Sequence, residues 1–214
     1  MAISRRAVVT GFGAAVLIAP VSAIAEHLRP TPQETLGPFF PVATPAPHDF
    51  DLTHVAGRSG RATGQIIELT GRVLRVDRTP VPSATVEVWQ ANAAGRYNHP
   101  LDKNPAPLDP NFRGVALLRS TAEGRYRIRT VKPGAYADPA GGTRTPHIHF
   151  DIFADDYRLV TQMYFPGEKL NETDTLFSTM AARHHDPALA ICKAVDTHEP
   201  NVLAFEWDIV LLQG

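Results

Sequence analysis

The sequence predicts an all-β protein, an antiparallel β-sandwich with long loops and one or two short helices. Short runs rich in Val, Ile and Leu recur along it, several alternating apolar and polar residues with the period of a half-buried strand. Nineteen prolines and 15 glycines punctuate 214 residues, which favours turns over a helical bundle. Only Asp174 to His185 has the composition of a short helix, with Asp174 placed to cap it. A hydrophobic fraction of 43% is enough for one full core.

Taken in order, the chain divides into residues 1–25, 26–64 and 65–214. In the first part Ser4-Arg5-Arg6-Ala7-Val8-Val9 leads an apolar run to Val21, and Ala23-Ile24-Ala25 supplies the small residues that a signal peptidase reads. The paired arginines mark a twin-arginine signal, so the mature chain is expected to start near Glu26 in the periplasm or outside the cell. Gly11, Gly13 and Pro20 interrupt a run too short for a membrane anchor, so no stable membrane insertion is expected after signal removal. Residues 26–64 read as an extended, proline-rich arm. Phe39 and Phe40 within it need something to cover, either the core or the border of a site or subunit contact.

The sandwich follows. Gln65 to Val76 is a strand, with Gly71 marking a bulge or the close approach of another backbone. Asp77 to Pro82 is a turn, and Ala84 to Gln90 alternates, Val86 and Val88 opposing Thr85, Glu87 and Trp89. Val115 to Ser120 and Gly124 to Val131 read as a hairpin around Thr121-Ala122-Glu123-Gly124, with Tyr126, Ile128 and Thr130 opposing Arg125, Arg127 and Arg129. His147 to Ala154, Arg158 to Phe165 and Leu203 to Leu212 complete the strands. The loop from Asn92 to Arg113 has no period and is long enough to suggest a functional role. Cys192 is the only cysteine; it permits no internal disulfide and reads as a packed residue on a short helix. A net charge of -1 gives no footing for nucleic acid as a partner.

One stretch carries chemistry: Arg144-Thr145-Pro146-His147-Ile148-His149-Phe150-Asp151. On a strand His147 and His149 share a face, their Cα atoms roughly 6.6 Å apart, within reach of one metal ion. Asp151 shares that face but lies roughly 13 Å from His147, too far for a third ligand without a kink. Arg144 puts a fixed positive charge beside the pair. An H-x-H pair by itself is more often a pair of surface or core histidines than a metal site, so partners decide the matter. Tyr97, opening the long loop in Gly95-Arg96-Tyr97-Asn98-His99-Pro100, and Tyr136, ending Lys132-Pro133-Gly134-Ala135-Tyr136, are the candidates. Two phenolates with two imidazoles form a hard, anionic donor set that favours Fe(III) over zinc or copper(I).

The sequence resembles the intradiol ring-cleavage dioxygenases, most closely those of the protocatechuate 3,4-dioxygenase type. The resemblance is carried by Thr31-Pro32-Gln33-Glu34-Thr35-Leu36-Gly37-Pro38-Phe39-Phe40, by Thr85 to Tyr97, by Leu108-Asp109-Pro110-Asn111-Phe112, by Lys132 to Tyr136, by Arg144 with His147 to Phe150, and by Leu159 to Gly167. It implies a ferric site held by Tyr97, Tyr136, His147 and His149. Tyr136 is then the ligand that a catechol displaces, Arg144 stands beside the bound ring, and Gln162 is a nearby polar residue. The implied reaction cleaves the ring between its two hydroxylated carbons with O2 and gives a cis,cis-muconate-type diacid. Its implied partners are a small aromatic diol, O2, and a second copy or a partner subunit. Two positions depart from the pattern: Asp138 stands where a tryptophan is usual, and Phe40 where tyrosine is common. A carboxylate facing the pocket at Asp138 would disfavour an acidic substrate. Gly71-Arg72-Val73-Leu74 and Gly124 to Tyr136 also resemble transthyretin-like binding modules, a reading that leaves Tyr97, Arg144 and the long loop without a role.

Overall fold

Residues 27–43, 50–138 and 140–212 are described by a computed structural model of the chain. The export-signal reading of residues 1–25 lies outside the described residues. In chain order the elements are β1 (Ile66–Arg75), β2 (Thr85–Trp89), β3 (Val115–Arg119), β4 (Arg125–Val131), β5 (Tyr136–Ala137), β6 (Thr143–Arg144), β7 (His147–Ala154), β8 (Tyr157–Tyr164), α1 (Thr175–His184), β9 (Lys193–Val195), β10 (Val202–Glu206) and β11 (Ile209–Leu211). Single 3-10 turns at Lys169–Glu172 and Pro187–Ala190 flank the helix.

The fold is an all-β sandwich. One sheet is built on β1, which pairs antiparallel with β4 and parallel with β10 and β11; β9 adds to β10. The other runs β3-β2-β7-β8 and is antiparallel throughout. Alternation along each strand turns one set of side chains inward. Ile67, Leu69, Val73, Ile128, Phe205 and Ile209 from the first sheet meet Val86, Val88, Ile148, Phe150, Ile152 and Met163 from the second in one buried core. Phe150 lies 5.1 Å from Trp207 and Phe165 lies 5.2 Å from Phe205, ring centre to ring centre.

The amphipathic reading of β4 holds: Tyr126, Ile128 and Thr130 are buried while Arg125 and Arg127 are exposed. The hairpin does not. β3 pairs with β2 and β4 pairs with β1, so the turn at Thr121–Gly124 carries the chain from one sheet to the other. Both strands have an apolar face, and each covers the same core from its own side. A turn signal reports that the chain reverses, not which sheet the next strand joins.

The last predicted strand divides into β10 and β11 at Trp207 and Asp208, and both parts lie parallel to β1. The division coincides with Gly71. A Cβ there would sit 1.8 Å from Trp207 O, the same carbonyl that accepts a hydrogen bond from the Tyr126 hydroxyl at 2.6 Å. Gly71 is therefore a point of close backbone approach, as the sequence indicated. Cys192 is buried, but it follows the Pro187–Ala190 turn in extended chain and is not on a helix. Burial pushes its thiol up to about 12, so it is packed and inert.

Residues 27–43 of the arm contain neither helix nor strand and are tied to both sheets. Thr31 N donates to Val210 O at 2.9 Å, and Thr31 Oγ1 accepts from Val210 N at 2.8 Å. Glu34 N then donates to Val160 O on β8 at 2.8 Å. α1 begins at Asp174, whose carboxylate accepts from Phe177 N at 2.9 Å, and ends at His185 in the left-handed conformation. Arg29 of the arm donates to His184 O at 2.7 Å, joining the arm to the end of that helix.

Candidate active site

The site lies on the outer face of the β3-β2-β7-β8 sheet. Ile148 and Phe150 point into the core, so His147 and His149 point outward, yet each is only 2% exposed. Their cover comes from the arm, the 92–113 loop and the β5–β6 ribbon. Phe39 stacks near Tyr97 at 4.7 Å between ring centres, and Phe40 meets Trp89 edge-on at 5.1 Å. The two phenylalanines thus border the site. The arm passes so close that a Cβ at Gly37 would lie 3.2 Å from His149 Cε1.

Two loops deliver the tyrosines. Tyr97 is positioned by Asp102, whose carboxylate accepts from Tyr97 N at 2.7 Å. Asn92 organises the start of that loop by accepting from Ala94 N and Arg96 N. Tyr136 is on β5, paired in register with Arg144 on β6. The two segments are pressed together: a Cβ at Gly95, whose φ is +79°, would lie 2.3 Å from Ala135 O.

Four donor atoms converge. His147 Nε2 is 3.2 Å from His149 Nε2 and 3.5 Å from each of the Tyr97 and Tyr136 hydroxyls. Thr145 O accepts from His147 Nδ1 at 2.7 Å, which leaves Nε2 with its lone pair in the neutral ring. His149 is held flat against Trp89, 4.7 Å away and tilted by 9°. Burial, and then the Arg144 charge, hold the proton affinity of His147 well below the usual histidine range; burial and His147 do the same to His149. Burial pushes both phenols up, helped at Tyr97 by the neighbouring Tyr136. Lone pairs facing one another in a dry site are unfavourable unless a cation lies among them. Donors about 2 Å from one ion lie roughly 3.3 Å apart in a tetrahedral arrangement, close to the spacings seen. Among the described residues no group of three or more His, Cys, Asp or Glu side chains offers an alternative metal site.

Arg144 is 5% exposed and tightly held. Its Nε donates to Asp174 Oδ2 at 2.9 Å and one Nη donates to Gln162 Oε1 at 2.7 Å. Burial opposes its charge, but Tyr136, Asp174 and Tyr164 more than offset that and keep it cationic. Asp174 also accepts from Thr145 N at 2.8 Å, so one carboxylate caps the helix, pairs the arginine and fixes the chain two residues before the histidine strand. Asp151 plays no part in the donor cluster; Arg158 holds it through two hydrogen bonds of 3.0 and 2.7 Å. Asp138 caps its own turn, accepting from Ala140 N at 2.9 Å.

The structure therefore brings together Tyr97, Tyr136, His147, His149, Arg144 and Gln162. Sequence reasoning missed Asp102, the stacking of Trp89 on His149, and the second role of Asp174. Trp89 had a signal: in antiparallel pairing it falls opposite His149. Asp174 announced itself only as a cap, and nothing local reports that its second oxygen faces an arginine 30 residues away.

A sandwich that closes two histidines and two tyrosines around one point, with a pinned arginine beside them, defines a class of enzyme, and comparisons agree. The family model described as "Dioxygenase" (Dioxygenase_C) matches residues 36–214. The chain is 43% identical over 196 residues to a protocatechuate 3,4-dioxygenase beta chain of Burkholderia cepacia, covering 90% of this chain and 82% of that one. It is 32% identical over 163 residues to a catechol 1,2-dioxygenase of Acinetobacter lwoffii, where the match covers 70% of this chain and 56% of the relative. A solved structure of the dioxygenase domain of a dioxygenase carbohydrate-binding protein fusion from Streptomyces sp. SirexAA-E superposes with a TM-score of 0.66 at 27% identity, covering 87% of this chain and 100% of that one. The chain belongs to the intradiol ring-cleavage dioxygenase family and is an enzyme, so the binding-module reading is set aside.

Proposed function

We propose that this enzyme holds a non-haem ferric ion between Tyr97, Tyr136, His147 and His149 and cleaves a catechol-type ring between its two hydroxylated carbons with O2, giving a cis,cis-muconate-type diacid. The convergence of the four donor atoms, the other three within 3.5 Å of His147 Nε2, carries the reading. When bound, ferric iron draws electron density from a catecholate and opens it to O2. Everything else falls to the chain. Tyr136 sits on a two-residue strand and would be the iron-holding side chain that gives way to the substrate. Its burial favours the protonated phenol, so the released oxygen accepts a catechol proton. Arg144, fixed by Asp174 and Gln162, stabilises negative charge developing on the ring. Phe39 and the arm keep bulk water from the donors. Export by the twin-arginine route fits this chemistry, since iron is then acquired during folding before transport. A second subunit or a second copy is part of the proposal, in keeping with the relative named as a beta chain.

Iron-bound phenolates absorb visible light, so the iron-replete protein should be red to brown and should consume O2 with a panel of catechols. Tyr136→Phe should weaken or shift the absorption band. A colourless protein without iron by elemental analysis would overturn the reading.

A further inference from the structure

Beyond the donor cluster, a chain of buried polar groups runs from Arg144 towards the surface and ends on the arm at Glu34. Tyr164, fully buried, has its hydroxyl 3.2 Å from Gln162 Oε1 and 3.3 Å from Glu34 Oε1. The orientation of Gln162 is set by its other contacts: its oxygen takes the Arg144 Nη–H at 2.7 Å, and its amide nitrogen donates to Thr35 O at 3.3 Å. Gln162 therefore presents only an acceptor to Tyr164. An ionised Glu34 presents only acceptors as well, and Tyr164 has one hydrogen for the two of them. A proton on Glu34 resolves the conflict. The carboxyl then donates to the Tyr164 oxygen, Tyr164 donates to Gln162 Oε1, and Gln162 stays fixed between Tyr164 and Arg144.

We propose that Glu34 is a positioning residue for ring cleavage: its proton sets the direction of the relay Glu34–Tyr164–Gln162–Arg144, and the protonated form is the one that best holds Arg144 for the developing negative charge. Ionised Glu34 would also add a second negative charge to that of Asp174 near the same arginine, weakening its field at the ring. The proton has a route to water. Glu34 lines a cavity of about 560 Å³ between the arm and α1, with Gln33, Thr179, Met180, Arg183 and His184 among its walls. The charged and titratable groups facing Glu34 are Tyr164 from β8, Arg144 from β6, Asp174 at the helix cap, and Arg183 and His184 from α1. Burial outweighs the hydrogen bond from Tyr164 and the nearby arginines, and it raises the carboxyl to about 7.

The inference rests on the dioxygenase reading, and two measurements keep the two separable. In the full-length protein labelled with 13C at glutamate side-chain carboxyls, the resonance lost in Glu34→Gln should titrate near neutral pH. Its midpoint should move in Tyr164→Phe, which removes both the acceptor of the protonated carboxyl and the hydrogen shared with the ionised one. In the iron-loaded enzyme, kcat/KM should fall several-fold as pH rises through that midpoint. Glu34→Gln, a permanent donor to Tyr164, should hold its rate to higher pH. A Glu34 carboxyl that titrates with ordinary surface glutamates, a midpoint unmoved in Tyr164→Phe, or an alkaline limb that persists in Glu34→Gln would each overturn the inference. If the iron-loaded protein cleaves no catechol at any pH, the functional proposal fails, while the resonance titration still decides whether the relay exists.

Discussion

At the residue scale, Asp174 joins stability to the site. It accepts hydrogen bonds from Phe177 N, Thr145 N and Arg144 Nε while fully buried. Removing it leaves helix α1 without its cap and Arg144 buried without a counter-ion, and breaking a buried pair in this way costs about 3–5 kcal/mol. Asp174→Ala should therefore lower the denaturant midpoint sharply, and iron binding should weaken as Thr145 loosens beneath His147. The pH dependence has a definite sign. Burial opposes ionisation of Asp174, but its three donors outweigh burial and hold it below the usual aspartate range. Its contribution is thus complete above the unfolded value of about 3.9 and is lost as pH falls through the lower folded value. Acid titrations of stability should show that loss in the wild type and lack it in Asp174→Ala.

At the scale of elements, the site depends on segments that touch through backbone rather than side chains. Gly95 is the test. It is held at a φ of +79° and a Cβ there would press on Ala135 O, one residue before Tyr136. Gly95→Ala should cost about 1–3 kcal/mol in stability and should separate the two tyrosines, since overpacking is relieved by backbone shifts. The expected result is lower iron occupancy and a shifted visible band, with strand content by circular dichroism unchanged. Much at this scale was legible beforehand. The period-two pattern placed His147 and His149 on one face, and the cap at Asp174 located α1, because both signals are local. The joining of β3 to one sheet and β4 to the other was not legible. Leu118 and Ile128 are equally apolar whichever strand lies beside them, and only the sandwich assigns their neighbours.

At the scale of the whole molecule, the four donors come from three separate stretches of chain and are sealed by a fourth, the arm. Bringing them together without a cation buries two lone-pair nitrogens against two phenols. The proposed iron would therefore link metal binding to stability: a ligand that binds only the folded state adds about 2.7 kcal/mol at a hundredfold excess over Kd. Stripping iron with a chelator should lower Tm by several degrees, and ferric ion should restore both Tm and colour. An unchanged Tm would show that the donors are held by packing alone.

What the sequence by itself determined is whatever a short window encodes: the strand period that puts two histidines on one face, the proline and glycine content that favours turns over a bundle, and the donor types that suit ferric iron. The tertiary structure alone decided which sheet each strand joins, that Asp174 rather than solvent pairs Arg144, and that Glu34 reaches the site through Tyr164. The last two depend on contacts between residues 30 and 130 positions apart. A carboxylate looks the same in a sequence whether it faces water, a backbone amide or a guanidinium; only the packed chain chooses among them.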